Sequence, residues 1–189
     1  MEKGIGKLLG IIFGIVTLVL IAVTFFVDLG TVTTKVTFFG ITYSSTTNTT
    51  YFGAIHNGNF NSWANGTSRL TGSTLNKANS GIDMIYASIA TIIIAAIFAV
   101  IGIVAVLGKS SKMMKTMTLV APIVSAVLII VTIVLYYEGA TTLISALTSG
   151  VTSGVTTTIS LAIGAYLAIV AVITEFLAAG FSFLSGGKN

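Results

Sequence analysis

Followed position by position, the chain alternates between four long apolar runs and polar segments of unequal length. Leu8 to Val27 (LLGIIFGIVTLVLIAVTFFV) carries no charge; Met84 to Leu107, Met117 to Tyr137 and Thr158 to Phe183 follow, the last interrupted only by Glu175. About 20 residues of helix cross a bilayer, so each run predicts a transmembrane helix. The first run exceeds the roughly 7–15 apolar residues of a secretory signal, and Phe25-Phe26-Val27-Asp28 offers no small-residue cleavage site. It reads as a retained signal-anchor.

Between the first two runs the period changes. Val32, Thr34, Val36 and Phe38 alternate with Thr33, Lys35 and Thr37, the pattern of a half-buried strand rich in β-branched residues. Gly40 interrupts it and Ile41-Thr42-Tyr43 continue it. Further on, Tyr51 to Ile55 and Phe60 to Trp63 flank His56-Asn57-Gly58-Asn59. Asn57-Gly58 is a strong hairpin signal, because both residues tolerate positive φ. Residues 64–80 read as loop with at most one short helical turn. The expectation is a small antiparallel sheet between helices 1 and 2.

Charge then predicts orientation. Lys3, Lys7, Lys109, Lys112, Lys115 and Lys188 fall on one side of four alternating helices, in short segments where the positive-inside rule counts most. Lys35, Arg69 and Lys77 lie on the other. The partition is a cytoplasmic N-terminus with helix 1 (1–28), an extracellular β-rich loop domain (29–83) and helix 2 (84–107). A basic cytoplasmic turn (108–116), helix 3 (117–137), a second extracellular loop (138–157) and helix 4 with a short cytoplasmic tail (158–189) complete it. Phe25, Phe26, Tyr86, Tyr136 and Tyr137 are expected to form an outer aromatic belt.

Composition narrows the chemistry. Only 7% of the 189 residues are charged and 54% are hydrophobic, against roughly 25% charged in a soluble domain. The absence of cysteine removes disulfides, thiol catalysis and thiolate metal sites, and a single histidine cannot build a multi-histidine metal site. His56 reads as a surface turn residue with no carboxylate near it. No nucleophile–base–acid set and no glycine-rich phosphate loop is present, and a net charge of +4 lacks the dense basic clustering of a nucleic-acid surface. The chain is expected to be no enzyme, with no cofactor, no metal, no nucleic acid and no small-molecule substrate.

Small and polar residues recur every seven positions: Gly10, Thr17, Thr24; Ser88, Ala95, Gly102; Thr118, Ser125, Thr132; Gly164, Ala171, Ala178. Seven-residue spacing keeps one face on a left-handed helix seam, and small residues let helices approach closely in lipid. Gly6, Gly10 and Gly14 on helix 1, and Ser160, Gly164 and Ala168 on helix 4, add four-residue series. These faces serve packing within the chain or contacts with another copy, and the Thr118/Ser125/Thr132 stripe is also a candidate pore lining. Glu175 is the one acid inside a span, a functional candidate by default. Counted from Ile159 it lies roughly 24 Å along its helix, near the inner interface, where water or Lys7 or a lysine of the 109–115 turn would satisfy it. Pro122 is expected to bend helix 3 near its cytoplasmic end. Asn48-Thr49-Thr50 and Asn65-Gly66-Thr67 are glycosylation patterns on the expected outer side.

Four spans, inside termini, a long β-prone first outer loop, a short basic inner turn and a smaller second outer loop together resemble the claudin/PMP22-like tetraspan proteins, including the fungal Sur7-type relatives. The resemblance covers nearly the whole chain at the level of topology. It implies a left-handed four-helix bundle under a small extracellular β-sheet, and an adhesive, barrier or membrane-organising role. That family's Gly-Leu-Trp motif with two disulfide-forming cysteines is not met: Trp63 follows Phe60-Asn61-Ser62. Trp63 therefore carries over only as an anchor of the outer sheet.

The expected protein is an all-α membrane protein: a left-handed four-helix transmembrane bundle with a small extracellular antiparallel β-sheet. It belongs in the plasma membrane, contacts lipid, and works as a homo-oligomer or with other membrane proteins. A small accessory subunit of a larger respiratory or transport complex, an oligomeric channel and an envelope protein are the alternatives.

Overall fold

The computed structural model describes residues 3–39, 41–51, 70–108, 112–149 and 155–186. The order of elements is α1 (Lys3–Phe26), β1 (Gly30–Phe38), β2 (Ile41–Thr49), α2 (Gly72–Leu107), α3 (Lys112–Thr148), β3 (Val155–Leu161) and α4 (Ile163–Gly186). All four helices are long and apolar enough to cross a membrane. The second hairpin expected around Asn57-Gly58, together with Trp63 and Asn65, lies outside the described residues.

Helices α2 and α3 are 36 and 37 residues long. At 1.5 Å per residue each measures about 54 Å, well beyond a hydrocarbon core of about 30 Å. The extra turns are residues 72–83 and 138–148, which hydropathy alone assigned to loops. The seven-residue series explains them, because it continues into those segments: Gly81 precedes Ser88, and Gly139 and Ala146 follow Thr132. Gly81 and Gly139 meet with backbones in contact; a Cβ on either would come within 2.7 Å of the opposing carbonyl oxygen. Ala78, Ala140, Leu143 and Ala146 are buried beside them. Packing of this face overrides the poor helix propensity of glycine, serine and asparagine.

Two strands of the sheet match the predicted ones; the third corrects the expectation. The order is β2-β1-β3, so the sheet draws on the segment before α4 as well as the segment after α1. Val155 to Leu161 alternates half-buried and exposed positions as a strand does. Its Thr158 and Ser160 are therefore strand residues, helix 4 begins at Ile163, and Ser160 shares no helical face with Gly164 and Ala168. Antiparallel register sets Gly30 opposite both Thr49 and Leu161. Threonine hydroxyls pair across strands, Thr37 with Thr42 at 3.1 Å and Thr33 with Thr46 at 3.3 Å. Only Phe39 and Gly40 separate Phe38 from its partner Ile41, and Phe39 has φ 48°, the positive φ that a two-residue hairpin loop demands.

By packing, the chain divides into two units. One joins Met1–Val23, Ala90–Thr132 and Leu167–Asn189; the other joins Thr24–Ile89 and Ile133–Tyr166.

In the second unit the sheet is held at one end. Backbone amides of Ala162 and Gly164 donate to the carbonyls of Leu29 and Asp28 at 2.9 and 2.8 Å. Tyr51, only 1% exposed, packs its ring on Phe25 and Tyr136 at centroid distances of 5.6 and 5.9 Å. Its hydroxyl donates to Ser88 at 3.1 Å, and Ser88 donates to the Ile85 carbonyl. The expected aromatic belt is thus split: Phe25 and Tyr136 turn inward onto Tyr51, while Phe26 and Tyr86 are exposed.

Burial pushes the Tyr51 phenol up from its ordinary value; the Ser88 hydrogen bond opposes this more weakly. With the native value raised, the unfolded chain loses this proton first as pH climbs. The contribution to stability is complete below about pH 10 and is lost above it. Tyr51→Phe should cost about 1 kcal/mol near neutrality and flatten the alkaline loss, whereas Tyr51→Ala should cost about 3–5 kcal/mol. Thermal melting in detergent across pH reads both.

Candidate functional site

In the first unit the predicted stripes are spent inside the chain. Thr17 on α1 and Thr174 on α4 share a hydrogen bond of 2.6 Å, and Thr91 on α2 and Thr132 on α3 share one of 2.8 Å. Ser125 donates to the Ala95 carbonyl at 2.9 Å. Thr17, Ser125, Ala95, Thr132, Ala171 and Ala178 are buried. In an apolar surrounding such hydroxyl pairs hold helices together at about 1 kcal/mol each. Thr118 is half-buried and donates to its own turn, at Lys115. The pore-lining stripe therefore has two of its three hydroxyls occupied between helices.

The glycine series is internal as well. Gly6, Gly10 and Gly14 are buried. A Cβ on Gly10 would collide with Ser182 of α4, and one on Gly14 would come within 2.7 Å of Ile103 on α2. Gly102 faces the ring of Pro122, and α3 runs on through that proline. In the second unit Gly164 sits on the Asp28 backbone, 2.9 Å from where its Cβ would be. Ala168 is buried.

Glu175 stands apart from these. With α4 starting at Ile163, it lies about 18 Å along a helix about 36 Å long, at the middle rather than near an end. It is 1% exposed. Ser125, whose hydroxyl donates to the Ala95 carbonyl, lies near its carboxyl, and Oε1 has no hydrogen-bond partner. Lys7, its expected companion, is exposed. Sequence reasoning missed this setting because a strand was counted as the first turn of the helix. Among the described residues no group of three or more His, Asp or Glu is placed to hold a metal.

The sheet is exposed over much of its length. On β1 burial falls away from Gly30, which is buried, through half-buried Thr31–Thr34 to exposed Lys35, Val36 and Thr37. On β2 every residue from Ile41 to Asn48 is exposed. The hairpin end displays Phe39 at 92% exposure, with Ile41 and Tyr43 beside it. Register places Thr31, Thr33, Lys35 and Thr37 on one face with Thr42, Ser44, Thr46, Asn48, Thr156, Thr158 and Ser160. That face is wholly polar. Asn48, one of the two glycosylation candidates, is thus an exposed strand residue opposite Thr31.

Compared with models of known protein families and with curated proteins, the chain matches none.

The unpartnered Glu175 oxygen is a cost that packing alone does not require. An unsatisfied buried polar atom costs about 1–3 kcal/mol, so Glu175→Leu should raise the melting temperature in detergent. A fall of similar size would show that the carboxyl is fully partnered.

Proposed function

We propose that this chain is a non-enzymatic, multi-pass plasma-membrane protein whose sheet mediates lateral assembly or cell-surface protein contacts, with both termini cytoplasmic. The observation that carries the reading is the sheet itself. Its base is fastened by backbone hydrogen bonds and by Tyr51, while its other end is exposed on both faces and carries an apolar tip. Exposed apolar groups on an ordered element are where proteins meet partners. The lysines favour the same orientation, since Lys112 and Lys115 begin α3 at the end remote from its junction with β3. The topology-level resemblance to claudin/PMP22-like proteins agrees with an organising role. Lining of a pore by the third span draws less support, because Ser125 and Thr132 are committed to α2.

Gentle extraction from native membranes followed by native mass measurement tests this. A homo-oligomer, or a complex with other surface proteins, is expected. A fixed set of larger respiratory or transport polypeptides would instead make the chain an accessory subunit, and a strict monomer would sink both readings. In a glycosylating host, a mobility shift removed by Asn48→Gln with Asn65→Gln is the accompanying check that the sheet is extracellular.

A further inference from the structure

We propose that the free edge of β2 pairs antiparallel with the β2 edge of a second copy in a facing membrane, joining two three-stranded sheets into one of six strands. The inference rests on the reading of the sheet as an outer contact domain, and names its partner.

Among the described residues the edge is open and unprotected. Among the described residues β2 pairs only with β1, and no backbone hydrogen bond reaches its other side. Sheet edges are normally blunted by lysine, proline, a bulge or a short length. β2 is nine residues, ITYSSTTNT, with no charge and no proline, in unbroken register with β1 from Ile41 to Thr49. β3 is shorter, with alternate side chains half-buried. β2 is therefore the edge that invites another strand.

Direction then selects the partner. β2 runs from the exposed hairpin end toward the fastened base at Tyr51 in every copy. Exposure rises from the base at Gly30 to both faces of the hairpin end, as in a sheet that stands out from the helix ends; two copies in one membrane would then present parallel β2 strands related by a two-fold axis along the strands. A parallel ladder slants between residues staggered by one position, and that axis brings identical residues to equal height instead. Copies in facing membranes present antiparallel strands, and a two-fold axis across them makes a self-complementary, closed contact.

Full overlap sets Ile41 opposite Thr49 and Ser45 opposite its own copy. The two-residue loop closes on the Phe38–Ile41 pair, so odd positions of β2 bond to β1 and Thr42, Ser44, Thr46 and Asn48 turn their backbone groups outward. Like charges stay apart. The nearest is Lys35 on β1, opposite Ser44, and three strand spacings of about 4.8 Å separate the two copies' β1 strands, beyond a Debye length at physiological salt. Each hairpin tip, with its exposed Phe39, comes level with the base of the facing sheet. A ladder about 30 Å long is a small interface, suited to weak contacts multiplied between two surfaces.

Because the chain has no cysteine, single cysteines report the contact cleanly. Ser45→Cys protein is reconstituted into two populations of phosphatidylcholine/phosphatidylglycerol vesicles with different epitope tags, which are mixed under mild oxidant. Directly opposed residues at non-hydrogen-bonded positions lie about 4.5 Å apart at Cα, within disulfide reach. The expected result is a disulfide dimer carrying both tags. It should fall about tenfold or more with Thr46→Pro, which removes an outward amide, and with Thr46→Lys, which leaves the hairpin backbone intact and charges the edge. Thr156→Cys on β3 should not cross-link.

Dimers only within one population, at vesicle dilution, would overturn the facing-membrane pairing and leave lateral assembly standing. Cross-linking through Thr156→Cys in place of Ser45→Cys, or adhesion to protein-free vesicles, would overturn it in favour of the other edge or of lipid. No cross-link despite thiol labelling of Ser45→Cys would overturn it too; with a monomeric native mass, the contact function itself falls.

Discussion

Four backbone groups at one junction set the geometry of everything near it. The carbonyls of Asp28 and Leu29, just past the end of α1, accept from the amides of Gly164 and Ala162, at and just before the start of α4. Groups leaving a helix at an apolar boundary must find partners, because burying them unpaired is expensive. Here they find each other. The pairing lets β1 begin at Gly30 and β3 end at Leu161 in register, so that one pair of helices hands its ends to one pair of strands. It needs glycine at 164, where any side chain would strike the Asp28 backbone.

Tyr51 completes the junction from the other strand. Three aromatic rings and two hydroxyls close around the end of β2, joining the last residues of α1, the α2 turn at Ser88 and the α3 turn at Tyr136. One end of the sheet is thereby rigid. The other, with its strained Phe39 and exposed strands, depends on the ladder alone. In a sheet built this way stability is decided at the base, while the far length stays exposed.

The helices solve a different problem. In lipid, apolar faces gain nothing by association, so close packing and interhelical hydrogen bonds must hold helices together. Glycine against serine, glycine against a proline ring and paired threonines do so. Because these small residues are occupied within the chain, they leave the sheet as the more distinctive surface. Glu175 is the exception, a buried carboxyl whose Oε1 has no hydrogen-bond partner.

The sequence by itself determined the four apolar helices, the seven-residue stripes that pack them and the first β-hairpin strand. Each is written as a local period that a single element obeys. It also carried, unread, the sign that α2 and α3 overrun the apolar windows, since Gly81, Gly139 and Ala146 continue the same stripe through polar neighbours. What only the tertiary structure decided is which segments meet. Val155–Leu161 looks like the start of an apolar run until β1 offers it an edge, and that pairing moves the start of α4 to Ile163 and Glu175 to its middle. Tyr51 becomes the anchor only because Phe25, Ser88 and Tyr136, far apart along the chain, converge on it. Local periodicity fixes the elements; long-range hydrogen bonding and burial, which no local pattern records, choose their partners.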